Sequence, residues 1–362
     1  MSLYKLYKRL VNEIYRPNKI ITKIVIENYI KTKRYFLSNK KKELFVAYYD
    51  MAVAGPTFDF SFFLAAADYS SKKKGFKDFY VVIFEESGLY YSQKTYSDIN
   101  SWKLYNIVIP MCSMYTNCNG FEYISNKRDY LKKFKNNQEF YPENYDFYNV
   151  KAFSYSDFIY DTMAFNFISG FKSNKIAKRY IKQIINSEKK LISITIRGKS
   201  LFSAEKKDGF HSNINEWIKA CNYFLNHNYQ VIIIPETFTD VPKEFIKIGC
   251  IPFKEGSSNL ILRQACYESS YINFFMPNGP ASIAYLSKNT NYIVFNFFTD
   301  GIQYQPGVEE ASEKERFKQF KMTPGDGGWK FSNNKQIISK FNDKYDNIIK
   351  EFKVLVKNID ND

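Results

Sequence analysis

Histidine is nearly absent from this sequence of 362 residues, and its cysteines are few and scattered. His211 and His227 are the only histidines, which leaves few options for histidine metal sites or for nucleophilic pairs that need a histidine base. The five cysteines are an odd number and include no C-x-x-C pair. They therefore argue against a disulfide framework and against a zinc ribbon.

The familiar nucleotide-binding motifs are missing as well. The sequence has no G-x-G-x-x-G fingerprint and no G-x-S-x-G elbow. Gly198-Lys199-Ser200 looks like the end of a phosphate loop, but Ser193 stands where that loop requires glycine. The sole D-x-D triplet is Asp360-Asn361-Asp362 at the C-terminal end. We therefore expect no bound metal and no resident cofactor.

Long uninterrupted apolar segments are also lacking. The longest apolar stretch, residues 45–67, contains Asp50, Asp59 and a Gly55-Pro56 break, so it is a poor membrane span. The N-terminus carries charges where a signal peptide needs an apolar core. The sequence predicts a reduced cytoplasmic protein that is either soluble or attached to the inner face of a membrane.

Positive charge is plentiful but uneven. Of a net charge of +15, residues 1–42 carry +10, in two amphipathic helical patterns separated at Pro17. Such a basic arm can lie on an anionic membrane surface, where each Lys or Arg contributes about 1 kcal/mol. It can equally pack on the body with a solvated basic face. Because the remaining chain is nearly balanced and lacks nucleic-acid motifs, we do not expect a nucleic-acid partner.

The rest of the chain alternates between strand-like and helical patterns, which is typical of α/β proteins. Short apolar runs predict buried parallel strands at residues 44–49, 79–84, 104–110, 191–196, 231–235, 271–276 and 292–297. Helical patterns cover residues 58–68, 121–135, 176–187, 214–226, 260–268, 281–287 and 334–356, and residues 140–148 read as a loop.

This alternation predicts two facing Rossmann-like domains with a cleft between them, preceded by the basic helical arm. We place the arm at residues 1–42 and the N-terminal domain at 43–172. A connector helix follows at 173–190 and the C-terminal domain at 191–333. A terminal helix and tail occupy 334–362.

Polar residues follow the strands of the second half, where ligands bind in open α/β sheets. Arg197 follows the first strand, Glu236 the second and the Asn278-Gly279-Pro280 turn the third, with Ser282 just beyond. Glycine permits close backbone approach, and proline suits the first position of a helix whose free N–H groups attract anions. Arg197 could bind the same phosphate bidentately.

Each of these residues also has a simpler interpretation. Asn278-Gly279-Pro280 is an ordinary strand-to-helix turn, and Arg197 could be an ion-pair partner of Glu236. Arg263 lies in a helical pattern, where a surface or interdomain charge is common. Lys199 is expected to be solvated without ligand.

In the first half, Asp50 follows the first predicted strand. A carboxylate at that point could act as a general base for an acceptor hydroxyl. The alternative is a carboxylate bonded to nearby loop amides.

Residues 190–356 resemble GT-B-type bacterial glycosyltransferases of surface-polysaccharide biosynthesis. The resemblance begins with a strand that ends in arginine (ISITIR), a helix that contains Trp217 and a strand that ends in Pro-Glu (VIIIPE). It continues through LILRQACYES, NFFMPNGPASIAYLS and YIVFNF to the loop GDGGW at 325–329.

The resemblance implies that the C-terminal domain binds a nucleotide-sugar donor. Arg197, the Asn278-Gly279-Pro280 turn and Ser282 would lie near the diphosphate, and Glu236 and Arg263 near the nucleoside or sugar. Lys199 would join this donor set. GT-B enzymes typically need no bound metal, and the absence here of the paired-glutamate signature of retaining members favours inversion.

The expected activity is transfer of a sugar from a nucleotide-sugar to a glycan or lipid-linked acceptor, with Asp50 and Arg197 as catalytic residues. A sugar-nucleotide epimerase or hydrolase on the same fold is the enzymatic alternative, and a basic nucleic-acid-binding protein is the alternative from another class.

Overall fold

A four-stranded parallel sheet forms in the first half of the chain. The computed structural model describes residues 44–85, 94–125, 127, 130, 139–145, 147, 162, 165–198, 211–237, 239–297 and 329–361. The strands are β1 (Phe45–Asp50), β2 (Phe79–Phe84), β3 (Cys118–Ile124) and β4 (Phe140–Tyr141). Their order is β3-β2-β1-β4, and every pairing is parallel. Every residue of β1 is buried, as expected for a central strand covered on both faces.

A six-stranded parallel sheet forms in the second half. Its strands are β5 (Lys190–Thr195), β6 (Tyr229–Ile234), β7 (Ile251–Pro252), β8 (Ile272–Phe275), β9 (Tyr292–Val294) and β10 (Gln336–Ile338). They lie in the order β10-β9-β8-β5-β6-β7, again with parallel pairing throughout. The predicted α/β class with two parallel sheets is therefore confirmed.

Helices connect these strands. They are α1 (Phe60–Lys73), α2 (Lys94–Lys103), α3 (Ile109–Met114), α4 (Lys175–Ile184), α5 (Ile214–Asn226), α6 (Lys243–Lys247), α7 (Glu255–Ser258), α8 (Leu260–Ser269), α9 (Ala281–Tyr285) and α10 (Tyr345–Asp360). Helix α4 lies in the predicted connector between the sheets. None of the helices in the described ranges is both long and apolar enough to cross a membrane.

The core is shared between the two sheets. One cluster of buried side chains includes Ala47 of β1 and Phe275 of β8, and a second packs Trp217 and Phe352 against the larger sheet. Both sheets belong to one compact unit, Phe45–Asp362. The division into domains between residues 172 and 191 stays a prediction. The arm at residues 1–42 lies outside the described residues.

The third predicted strand, at residues 104–110, is wrong. A π-helical turn, Leu104–Val108, leads directly into α3 and buries Leu104, Ile107 and Val108. A short apolar run has no periodicity that separates a strand from a buried helix. Pro110 lies in the first turn of α3, where its missing N–H is tolerated.

The sheet edges also differ from the prediction. The third strand of the smaller sheet is β3, at residues expected in part to be helical, and β4 falls in the predicted loop at 140–148. Near the C-terminus, β10 and α10 replace the single helix predicted at 334–356. Gln336 begins β10, and its buried side-chain amide donates to the carbonyl oxygens of Ser287 (2.9 Å) and Thr290 (3.0 Å).

Candidate functional site

The larger sheet has a topological switch point between β5 and β8. From β5 the chain moves to β6 and β7 on one side, and then crosses to β8, β9 and β10 on the other. In open parallel sheets, the carboxyl ends of the strands at such a point are where ligands bind, in the crevice between the diverging connections. Arg197 follows β5, and Pro277 and Asn278 follow β8.

Arg197 spans this crevice. Its guanidinium Nη1 donates to the carbonyl oxygen of Pro277, across the switch point. Its backbone is held by Ser212 in two directions: Arg197 N donates to Ser212 Oγ (2.9 Å), and Ser212 N donates to Arg197 O (2.9 Å). The side chain is half-buried. The structure thus places the predicted phosphate-binding arginine at the position where a ligand of this sheet would bind.

The turn after β8 offers an uncommitted side-chain donor. Asn278 Oδ1 accepts from Ala281 N (3.0 Å), and Gly279 O accepts from Ser282 N (3.0 Å), so two N–H groups at the start of α9 are already bonded. The Asn278 Nδ2 group, by contrast, is buried and has no hydrogen-bond partner in the part of the chain that the structure describes. Asn278 directly follows Pro277, whose carbonyl oxygen accepts from the Arg197 guanidinium.

Gly279 and Ser282 contact the first half of the chain. A Cβ atom on Gly279 would lie 2.6 Å from Cδ2 of Phe58, so only glycine allows this approach. Ser282 Oγ donates to the carbonyl oxygen of Phe58 (3.4 Å). Phe58 lies in the loop between β1 and α1. The loops that leave the carboxyl ends of β1 and β8 therefore pack on each other.

Glu236 follows β6, and Arg263 of α8 contacts the same strand end. Arg263 is 2% exposed and donates from Nε to Gly256 O (2.5 Å) and from Nη2 to Pro235 O (3.5 Å). Burial raises the pKa of the Glu236 carboxyl above its ordinary value, and the nearby positive charges of Arg263 and Arg197 oppose this shift only in part. Arg197 and Arg263 therefore both lie near enough to Glu236 to stabilise its carboxylate form.

Asp50 lies at the switch point of the smaller sheet, where β1 separates β2 from β4. It is 1% exposed, and its Oδ1 accepts from the backbone N of Ala52 (3.0 Å). Its Oδ2 accepts from Lys127 Nζ (2.7 Å) and from the hydroxyl of Tyr145, which follows β4. One oxygen of Asp50 therefore binds a loop amide, as the alternative interpretation expected. The other oxygen binds Lys127 and Tyr145.

Lys127 and Tyr145 were not anticipated from the sequence. Lys127 Nζ also donates to Tyr145 Oη (2.6 Å) and lies 5.2 Å from the ring centroid of Phe84. Lys127 follows β3, whose sequence CNGFEYI is not a continuous apolar run. Tyr145 follows β4, which has only two residues. The signal that would have located Tyr145 is the pairing of β4 with β1, which the sequence pattern does not contain.

Lys199 lies outside the described residues, as does loop 325–329 except for Trp329. Within the described ranges, no three His, Cys, Asp or Glu side chains lie close enough together to hold a metal ion.

No protein-family model and no curated protein matches this sequence. Among solved structures, a glycosyl transferase family 9 protein from Veillonella parvula DSM 2008 matches with 10% identity and a TM-score of 0.46, covering 88% of this chain and 98% of that one. ADP-heptose LPS heptosyltransferase II of E. coli matches with 10% identity and a TM-score of 0.40, over 70% and 84%. A protein of Listeria monocytogenes described as a UDP-N-acetylglucosamine 2-epimerase matches with 11% identity and a TM-score of 0.33, over 88% and 89%. At these identities and TM-scores, the similarities say nothing about the substrate of this chain.

Proposed function

We propose that this chain is a glycosyltransferase that moves a sugar from a nucleotide-sugar donor to a glycan or lipid-linked acceptor of surface-polysaccharide biosynthesis. The observation that carries the proposal is the position of Arg197 across the β5–β8 switch point, with its guanidinium on Pro277 O. Ligands of parallel α/β sheets bind at such points, and a guanidinium matches the oxygen pair of a phosphate group.

The donor diphosphate would bind between Arg197 and Asn278. An unpaired buried donor costs about 1–3 kcal/mol, so a phosphate oxygen that accepts from Asn278 Nδ2 gains affinity by removing that cost. Arg197 would offset the negative charge that develops on the leaving diphosphate, the role that a metal ion plays in other transferases. Glu236, Arg263 and Lys199 would lie toward the nucleoside or the sugar.

The acceptor would approach from the smaller sheet, because the loop after β1 packs on the turn after β8. Asp50 is the proposed base. Since its Oδ2 already accepts from Lys127 and Tyr145, an acceptor hydroxyl must replace one of these donors to reach the carboxylate. Deprotonation by a carboxylate opposite the leaving group corresponds to single displacement with inversion.

The test is titration of nucleoside diphosphates into the full chain and into Arg197→Ala. Loss of a charge-assisted hydrogen bond of about 1.5–3 kcal/mol predicts roughly 10- to 150-fold weaker binding. Arg179→Ala, on the exposed face of α4, is the matched control and should bind like the parent chain. Equal affinity of Arg197→Ala and Arg179→Ala would reject the donor site.

A sugar-nucleotide epimerase or hydrolase is the second candidate, and Glu236 favours it. A carboxyl whose pKa is raised by burial, beside Arg197 and His211, can exchange a proton with a donor sugar without any acceptor. Incubation of the protein with nucleotide-sugars alone separates the two functions. A free or epimerised sugar without acceptor supports the second candidate, whereas turnover only with a glycan or lipid-linked acceptor supports transfer.

A further inference from the structure

Asp343 is a buried carboxylate just before helix α10. It is 6% exposed. Its Oδ2 accepts from the backbone N of Asn213 (2.7 Å) and from Trp217 Nε1 (2.9 Å). Its Oδ1 accepts from Asn296 Nδ2 (3.0 Å), and its own backbone N donates to Asn296 Oδ1 (3.0 Å). Four hydrogen bonds thus join one carboxylate residue to the start of α5 and to the loop after β9.

The first branch of this network leads to the backbone of Arg197. Asn213, which donates to Asp343, directly follows Ser212. Ser212 makes the two hydrogen bonds that hold the Arg197 backbone. Because consecutive residues share a rigid peptide plane, fixing the N–H of Asn213 also limits where Ser212 can place its hydroxyl.

The second branch leads to the acceptor of the Arg197 guanidinium. Asn296 adopts a left-handed backbone conformation (φ 57°), which suits asparagine better than most residues. Its Nδ2 lies 3.4 Å from Met276 Sδ as well as 3.0 Å from Asp343 Oδ1. Met276 directly precedes Pro277, whose carbonyl oxygen accepts from Arg197.

We infer that Asp343 is a positioning residue that sets the orientation of Arg197 at the β5–β8 switch point; this inference rests on the proposed donor site. The two branches reach Arg197 at opposite ends, one at its backbone and one at its guanidinium. A carboxylate is needed because both of its oxygens accept from N–H groups. An amide in its place must turn an NH₂ group toward one of those donors, which breaks a branch and lets the arginine adopt other rotamers.

The experiment measures nucleoside diphosphate affinity for Asp343→Asn, with Glu216→Gln as the matched control. Glu216 also joins α5 to α10, since its Oε2 accepts from Tyr345 N (2.8 Å). Its other oxygen, Oε1, accepts from Lys219 Nζ on the surface of α5 and not from the residues that hold Arg197. Asp343→Asn should bind about fivefold or more weakly, while Glu216→Gln stays within about twofold even if both unfold at lower temperature.

A double-mutant cycle with Arg197→Ala decides whether Asp343 acts through the arginine. In the Arg197→Ala background, Asp343→Asn should weaken binding by less than about twofold, because there is no guanidinium left to position. Equal weakening in both backgrounds overturns the inference. If Asp343→Asn does not fold, Asn296→Gly removes the second branch, allows the left-handed backbone conformation at that position, and should show the same pattern.

The outcomes separate the two proposals. If Arg197→Ala weakens binding and Asp343→Asn does not, only the positioning role is wrong. If Arg197→Ala leaves affinity unchanged, the donor site is wrong and the positioning role fails with it.

Discussion

Replacing Lys127 with methionine removes the ammonium group that neutralises a buried carboxylate at the end of β1. Asp50 is 1% exposed, and its Oδ2 lies 2.7 Å from Lys127 Nζ. Methionine keeps an apolar chain of similar length against Phe84, but offers no charge and no donor. Asp50 would retain its hydrogen bonds from Ala52 N and the Tyr145 hydroxyl, so its position should change little while its charge loses its counterion.

The expected cost follows from the geometry. At an effective dielectric constant of about 20, unit charges 2.7 Å apart attract by about 6 kcal/mol before desolvation is counted. Loss of one partner from a buried pair typically costs about 3–5 kcal/mol. Since the Lys127 side chain is 21% exposed, we expect the lower end, about 3 kcal/mol. With an unfolding entropy of about 2.1 cal/mol/K per residue over roughly 300 residues, the midpoint temperature should fall by about 5 °C.

Thermal and urea unfolding of four proteins test this reasoning: the parent chain, Lys127→Met, Asp50→Asn and the double variant. In the Asp50→Asn background, Lys127→Met should cost much less, because no uncompensated charge remains. Lys74→Met is the surface control, since the partners of Lys74, Glu139 and Glu143, are 52% and 68% exposed; it should change stability by less than about 1 kcal/mol. Equal losses for Lys127→Met and Lys74→Met would refute the argument.

Three further variants test the site and the backbone. Burial raises the folded-state pKa of Glu236, so the folded state is favoured while this carboxyl is protonated and loses that stability as pH rises through its pKa. Glu236→Gln should therefore raise the midpoint temperature of unfolding at pH 7–8 but not near pH 4. An equal rise at both pH values would contradict the burial of this carboxylate. Gly170 (φ 77°) and Gly75 (φ 82°) share a left-handed conformation, but a Cβ on Gly170 would clash with the carbonyl oxygen of Leu286, whereas Gly75 faces open space. In urea unfolding, Gly75→Ala should cost about 1 kcal/mol and Gly170→Ala clearly more.

The central strands could be predicted because parallel strands are buried on both faces. FVAYY in β1 and VIII in β6 are unbroken apolar runs, and the structure buries all of their residues. The same rule failed for residues 104–110, where an equally apolar run is helical. It also overlooked the edge strand β10, whose Gln336 is stabilised by side-chain hydrogen bonds to residues more than forty positions away.

The candidate site was predictable only where a residue follows a central strand. Arg197 and Asn278 were found in this way, because each comes just after a recognisable apolar run. The role of Gly279 was expected to be close approach to a ligand, and in the structure it makes close approach to Phe58. The sequence indicated a close approach at Gly279, but it did not indicate that Phe58 is the residue approached.

What the sequence by itself determined was the alternation of buried strands and helices and the charged or polar residues that follow those strands, since both are local features of burial and periodicity. The tertiary structure decided which of these residues meet. Asp50 bonds to Lys127 and Tyr145, 77 and 95 residues away, and Asp343 bonds to Asn213, 130 residues away. A buried polar group must find a hydrogen-bonding partner wherever the fold brings one, and that choice depends on strand order rather than on neighbouring residues in the chain.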